Sequence, residues 1–246
     1  MDSEFSIWWW SAAALVLGGI IKGALGVGLP LVSVPILSLW LPSGRAIGLL
    51  SVPVIWSNLV QARSGGLGFA GWRRFRGLIV TQLVVTVLTV RLTVDLPARE
   101  LNILIAGAVL LAVLLMSLPA RLSVPAGQER YWGLAVGAFA GLLGGASSLT
   151  GPIVISYFMA LKLPREEFVR SISLVYLAGS LPLYVAMLVF GRISWADVGL
   201  SLLAMVPVLL GMRIGQAVRQ RLNEVLFRRF ILLFLVAVAM MLFMKG

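Results

Sequence analysis

The sequence predicts an all-α, polytopic membrane protein of two inverted-topology repeats, each a glycine-broken helical hairpin followed by three transmembrane helices. Three observations predict it. Of the residues, 60% are hydrophobic and only 12% are charged, against about a quarter charged in a soluble domain. The apolar residues come in long runs, the pattern of membrane spans. One glycine–proline pattern occurs twice, in the same order, in the two halves of the chain. A length of 246 residues would allow one or two soluble domains, but a globule of that size could not hide so much apolar surface.

Ten apolar segments follow in order: Phe5–Leu25, Leu29–Leu41, Ala46–Gln61, Phe75–Val94, Leu101–Leu118, Tyr131–Leu149, Pro152–Leu163, Phe168–Phe190, Trp195–Met212 and Val225–Phe243. A spanning helix needs about 20 apolar residues. The second and seventh segments are too short to span straight through, and each follows a glycine-rich stretch. Gly19, Gly23 and Gly26 recur as Gly137, Gly141 and Gly144, a shift of 118. Pro30 recurs as Pro152, Leu41-Pro42 as Leu163-Pro164 and Ser51 as Ser173, a shift of 122. The second copy therefore carries four extra residues around Ala146–Leu149. The first repeat is residues 1–120, with hairpin 5–41 and helices 46–61, 75–94 and 101–118. A linker at 121–130 leads to the second repeat, 131–246, with hairpin 131–163 and helices 168–190, 195–212 and 225–243.

Arginine counts set the orientation. Segment 63–76 holds Arg63, Arg73, Arg74 and Arg76 and no acid, while its counterpart 191–197 has Arg192 against Asp197. Segment 213–229 holds Arg213, Arg219, Arg221, Arg228 and Arg229 with one Glu224, while its counterpart 91–100 is balanced, Arg91 and Arg99 against Asp95 and Glu100. Positive loops face the cytoplasm, so corresponding loops fall on opposite sides and the repeats are inverted, as is usual in secondary transporters. The N-terminus and the Pro42 turn are then outside, and the linker 121–130 is cytoplasmic. The chain is then multi-pass, with its N-terminus on the side away from the cytoplasm. A cleaved signal peptide would begin with positive charge. Asp2 and Glu4 precede the first run instead, so that run is expected to stay in the mature chain. Trp8, Trp9 and Trp10 read as an interfacial aromatic belt. Net charge is +11, from 20 Lys+Arg and 9 Asp+Glu. The basic residues sit between apolar runs and serve orientation rather than nucleic-acid binding.

There is no cysteine and no histidine, which removes thiolate chemistry, imidazole acid–base work and most transition-metal sites. None of the nine acids falls in the middle of an apolar segment. Cation sites and proton relays in membranes usually rest on buried Asp, Glu or His, so a cation carrier is disfavoured. No enzyme is expected, and no metal or cofactor.

What the sequence does offer is an anion site. In the stretch Gly18–Pro30 the glycines and proline weaken a continuous helix. Broken backbone at membrane depth survives only buried in protein or lining a polar cavity. A short helix starting near Pro30 would present unpaired N–H groups and a positive dipole end, ready ligands for an anion. The second copy repeats the plan with Ser147, Ser148 and Thr150 before Gly151-Pro152. Lys22 lies inside an apolar run, where a charge is costly and tends to be functional. Its alternative is to snorkel to an interface, and the alternative for the glycines is close helix packing. The candidate substrate-binding residues are Lys22, Gly23, Gly26, Gly28, Pro30, Gly144, Gly145, Ser147, Ser148, Thr150 and Gly151. Asn58 and Gln61 (beside Arg63), and Arg170, Ser171 and Ser173, are secondary candidates. So are Thr81, Gln82 and Thr86. Side chains of this kind more often make helix-to-helix hydrogen bonds. The two hairpin tips are expected to meet near the midplane.

The duplicated hairpin with its Leu-Pro turn resembles the TauE/SafE sulfite-exporter family of bacterial inner-membrane permeases. The residues that carry the likeness are Gly19-x3-Gly23-x2-Gly26-x-Gly28-x-Pro30 with Pro35 and Leu41-Pro42, and Gly137-x3-Gly141-x2-Gly144-Gly145 with Gly151-Pro152 and Leu163-Pro164. Gly211-Met212-Arg213-Ile214-Gly215 resembles the family's last cytoplasmic turn. Leu29, Leu49 and Ser147-Ser148 depart from its pattern. The resemblance implies a secondary transporter that exports sulfite, sulfoacetate or a related sulfur oxyanion by alternating access, without a cofactor. The alternatives are an importer of another small organic anion or of a neutral solute, and a non-transport scaffold subunit. The partners expected are the anion and the lipid bilayer, with no nucleic acid. Nothing in the sequence excludes a homodimer.

Overall fold

The computed structural model describes residues 2–64, 69–117, 123–125, 127–218 and 224–245. All the regular structure among them is helical: α1 Asp2–Leu25, α2 Leu29–Leu37, α3 Ser43–Gly48, α4 Ser51–Ser64, α5 Phe69–Thr93, α6 Ala98–Ser117, α7 Glu129–Ser147, α8 Gly151–Ala160, α9 Arg165–Val189, α10 Trp195–Val218 and α11 Glu224–Lys245. Five stretches among the described residues are long and apolar enough to cross a membrane: Ile7–Leu25, Arg73–Thr93, Ala98–Ser117, Ser171–Val189 and Trp195–Val218. The chain is a multi-pass, all-α membrane protein.

The two short segments are separate helices, α2 and α8, each carrying proline in its first turn. There the ring removes an N–H that had no partner and presets φ. Three sequence expectations need correction. The third apolar segment, 46–61, is broken: α3 ends at Gly48, Leu49 caps it, and α4 begins at Ser51. Pro53 then falls in the first turn of α4, the one part of a helix that tolerates it. The basic stretch 63–76 is not a loop throughout, because Arg73, Arg74 and Arg76 ride on α5. Gly211–Gly215 is not a turn. It lies inside α10, where close packing against α1 supports the helix. Arg219 and Arg221 of the segment 213–229, and residues 121, 122 and 126 of the linker, lie outside the described residues.

The chain forms two compact units, and neither is a contiguous half. The first takes Met1–Pro53, Leu96–Val113 and Ile193–Gly246; the second takes Val54–Asp95 and Leu114–Arg192. In the first unit α1 packs along α10, and α2 lies against α1, α3 and α11. In the second unit α5 packs along α7 and α9, and α8 lies against α7 and α9. Each unit thus pairs a broken hairpin from one half of the sequence with a long helix from the other half.

Glycine makes both crossings close. A Cβ at Gly19 would strike the Val208 carbonyl oxygen and lie 3.1 Å from the Gly211 Cα; at Gly215 it would strike the Ile20 carbonyl oxygen. The α1–α10 contact is therefore one Gly-x3-Gly pair laid on another, the arrangement that brings membrane helices to backbone contact. In the second unit a Cβ at Gly137, Gly141 or Gly145 would sit 2.5, 2.7 or 2.8 Å from the carbonyl oxygens of Leu78, Gln82 and Thr86.

Candidate functional site

The two helix breaks share one backbone plan. After α1, Gly26 takes φ 81° and its N–H bonds the Lys22 carbonyl at 2.7 Å. After α7, Ser148 takes φ 63° and its N–H bonds the Gly144 carbonyl at 2.8 Å. Each short helix then opens on an i+4 bond, Val32 N–H to Gly28 at 3.3 Å and Val154 N–H to Thr150 at 3.4 Å. Every pair in this list is related by the 122-residue shift. The packing glycines obey the 118 shift instead, so the four extra residues lengthen α7 by about one turn before its break.

Neither short helix has a side-chain cap. Gly28 precedes α2 with φ 102° and Thr150 precedes α8, and neither closes a capping hydrogen bond. The N–H groups of the first turns, Leu29 and Leu31 in α2 and Gly151 and Ile153 in α8, have no partner within their own helices. Proline holds the position between each pair.

In the first unit the break is lined by glycine, and charge comes from Lys22. That side chain is 5% exposed and is the one charged group among the buried described residues. It faces protein rather than an interface, which is not the position of a snorkelling lysine. Gly23 lies at the α1–α10 crossing, where its Cβ would strike the Met212 carbonyl oxygen, so packing determines that glycine. Gly26, Gly28 and Pro30 are half-buried at the break.

In the second unit the break carries hydroxyls. Ser147 is buried and donates to the Leu143 carbonyl at 2.6 Å. Ser148 is buried, Thr150 and Gly151 are half-buried, and a Cβ at Gly144 would meet the Thr150 methyl. Gly145 serves the α5–α7 crossing. Two tyrosines of α9 close on the same turn. The Tyr176 hydroxyl donates to the Gly151 carbonyl at 3.1 Å, and the Tyr184 hydroxyl lies beside Ser148 without a hydrogen bond of good geometry. The amide of Gln82, the hydroxyl of Thr86 and the hydroxyl of Tyr184 are all buried with no hydrogen-bond partner among the described residues. Gln82 abuts Gly179 of α9, and the Thr86 backbone abuts Gly145. Orphaned buried polar groups each cost about 1–3 kcal/mol and are the exception in native interiors. Three of them on α5 and α9, the helices packed against α7, are what a polar ligand would satisfy.

Of the secondary candidates, Asn58 is buried and Gln61 half-buried on α4, and Ser171 and Ser173 are buried on α9. Arg170 lies on α9, but its side chain is outside the described residues. The candidates divide between units: Lys22, Gly23, Gly26, Gly28 and Pro30 belong to the first, the remainder to the second. Tyr176 and Tyr184 were missed from sequence, because a tyrosine in an apolar run reads as core. The spacing Tyr176-x3-Ser180-x3-Tyr184 on one helix is the signal that could have found them.

Among the described residues no Asp or Glu is buried. Uncapped helix starts, buried hydroxyls and one buried lysine therefore make a multi-pass membrane protein with an electropositive, hydroxyl-rich interior. The model of the sulfite exporter TauE/SafE family matches residues 11–242, and the chain belongs to that family of membrane transporters. No curated protein and no solved structure matches it.

Proposed function

We propose that this protein exports a small sulfur oxyanion, sulfite or an organosulfonate, across the bacterial inner membrane by alternating access, with its N-terminus in the periplasm. Membership of a sulfite-exporter family supports the substrate class. The observation that carries the site assignment is the set of partnerless polar groups, Gln82 and Thr86 on α5 and Tyr184 on α9, the two helices that pack against α7 just before its break. An oxyanion there accepts hydrogen bonds from the Gly151 and Ile153 N–H groups and from the Ser148, Thr150 and Tyr184 hydroxyls. Water-excluded donors of this kind each contribute about 1.5–3 kcal/mol to a charged acceptor. In the first unit the break has its own donors, the N–H groups of Leu29 and Leu31, and a buried cation, Lys22.

Energetics favour the outward direction. An inside-negative potential drives an anion outward with roughly 2.3 kcal/mol per charge per 100 mV, twice that for a dianion. No proton relay is needed, which suits the absence of buried carboxylates among the described residues. The test is sulfite efflux from proteoliposomes under an imposed potassium-diffusion potential. Flux that rises with inside-negative potential supports the proposal. Absence of potential-driven flux of sulfite, sulfoacetate and other sulfonates alike defeats it.

A further inference from the structure

A second anion-binding feature lies away from the helix breaks. A cleft of about 420 Å³ opens between the N-terminal part of α5 and the start of α7, within the second unit. Arg73, Arg74 and Arg76 line it from α5, and Arg130 lines it from α7. Its inner wall is Gly133 and Tyr157, and the Tyr157 hydroxyl donates to the Glu129 carbonyl at 3.0 Å.

The four arginines are not equivalent. Arg74 is held in a double ion pair, to Glu129 at 2.7 Å and Glu167 at 2.6 Å. It is a fixed post that ties α5 to α7 and α9. Arg73, Arg76 and Arg130 are exposed and have no carboxylate within ion-pair distance among the described residues. Three guanidiniums without an ion pair among the described residues, around a cavity within the usual volume range of small-molecule sites, select an anion with several oxygens, above all a phosphate, which a guanidinium can grip with two parallel N–H donors.

The cleft sits at the Arg73 end of the apolar span Arg73–Thr93. The helix faces beyond it are apolar and open. Val80 is 54% exposed on α5, and Tyr131 and Trp132, next to Arg130 in sequence, are 73% and 51% exposed on α7. Aromatic residues of this kind mark the headgroup level of a bilayer. A soluble anion needs only the arginines, whereas a phospholipid uses both features: its phosphate in the basic cleft and its chains along the apolar faces.

We propose that this cleft is a binding site for the phosphodiester headgroup of an anionic phospholipid, held by Arg73, Arg76 and Arg130 with Arg74 as the fixed wall. The site is separate from the transport reading and stands without it.

The probe is phosphatidylglycerol, with phosphatidylcholine as the neutral control, and retention on the purified full chain is read by native mass spectrometry. The variant is R76Q/R130Q. The control is R99Q/R213Q, which removes the same charge from exposed positions of the first unit. A basic side chain near a membrane surface is worth about fivefold in affinity, so R76Q/R130Q is expected to weaken phosphatidylglycerol retention by roughly twentyfold or more, and R99Q/R213Q by less than about twofold. Equal losses in the two doubles overturn the site, since diffuse attraction explains them. Displacement of the lipid by millimolar inorganic phosphate or sulfite also overturns it, in favour of a soluble-anion site. Should R76Q/R130Q fail to fold, the wild-type chain decides: preference for phosphatidylglycerol over phosphatidylcholine that survives phosphate supports the proposal, and equal retention of the two lipids overturns it.

Discussion

The two helix breaks follow the same backbone path with different chemistry. At the first, the left-handed residue is Gly26, and Lys22 sits one turn before it. At the second, the left-handed residue is Ser148, and the position one turn before it is Gly144. Glycine adopts φ > 0 freely, whereas another L-residue there carries about 1–2 kcal/mol of strain. The first break therefore adopts its turn at little local cost and bears the buried charge. The second carries the strain of a serine there and presents hydroxyls, with Tyr176 and Tyr184 behind them. One backbone plan thus carries charge at the first break and hydrogen-bonding groups at the second. The crossings differ in the same sense. In the first unit glycine faces glycine, while in the second the glycines of α7 face Leu78, Gln82, Val85, Thr86 and Thr89, which brings polar side chains to the hairpin.

This comparison can be broken at several points. The largest effect is expected at the glycine-on-glycine crossing. Gly211→Leu would drive a side chain into the Val16 carbonyl and the Gly19 Cα, at a cost of about 3 kcal/mol or more. Gly107→Leu has nothing within 4 Å of its Cβ and should leave the thermal midpoint nearly unchanged in the same detergent. Comparable losses in both variants would show that the crossing is not the constraint.

Next comes the division of labour at the breaks. Lys22→Gln is expected to lower potential-driven sulfite efflux at least tenfold, and Thr150→Val severalfold, about the effect of losing a hydrogen bond to a charged group. Equal, small effects would mean that charge is not concentrated in the first copy.

A smaller effect, of opposite sign in the two copies, tests the backbone argument. Gly26→Ala should destabilise by about 1–2 kcal/mol and Ser148→Gly should stabilise by about 1 kcal/mol, read as thermal midpoints, while Ser148→Gly weakens sulfite binding. Matching signs in stability would refute the equivalence of the two positions.

The smallest effect concerns Glu129. Its hydrogen bond from Arg74 holds its carboxyl below the usual range. A depressed carboxylate pKa stabilises the folded state above the unfolded value of about 4.3, and the contribution vanishes as pH falls through the folded value. The Glu129 side chain is 40% exposed, so solvent screening should keep the contribution under about 1 kcal/mol. Glu129→Gln should lower the midpoint slightly at pH 7 and leave it unchanged near pH 3. An unaltered difference at the two pH values would assign the loss to packing.

Much of this architecture was legible in the sequence, because membrane spans are read from run length and because glycine and proline mark breaks. The helix expected at 195–212 runs on to Val218, and the chain breaks at Gly26–Gly28 and at Ser148–Thr150. The break at Leu49-Leu50 was missed because an apolar run with no glycine or charge at that point gives no punctuation. Pairing between halves was illegible for a different reason. Gly19, Gly23, Gly211 and Gly215 announce two close-packing faces, but a one-dimensional pattern does not say which face meets which. The uncapped starts of α2 and α8 were legible from proline and glycine spacing. Gln82 and Thr86 stood out only as polar residues in an apolar run, and Tyr184 not at all, since the lack of a partner is a property of neighbours.

The exchange of helices between the two halves also governs how the protein is made. The first hairpin leaves the ribosome at once, yet Val208, Gly211 and Gly215, the surface that receives Gly19 and Gly23, are translated almost last. At roughly 5–20 residues per second the α1 glycine face spends about ten to forty seconds in the bilayer before its partner exists. Insertion and tertiary assembly are thus separate events here, and a chain stalled before α10 is inserted but unassembled, with a glycine seam turned toward lipid where quality-control proteases can find it.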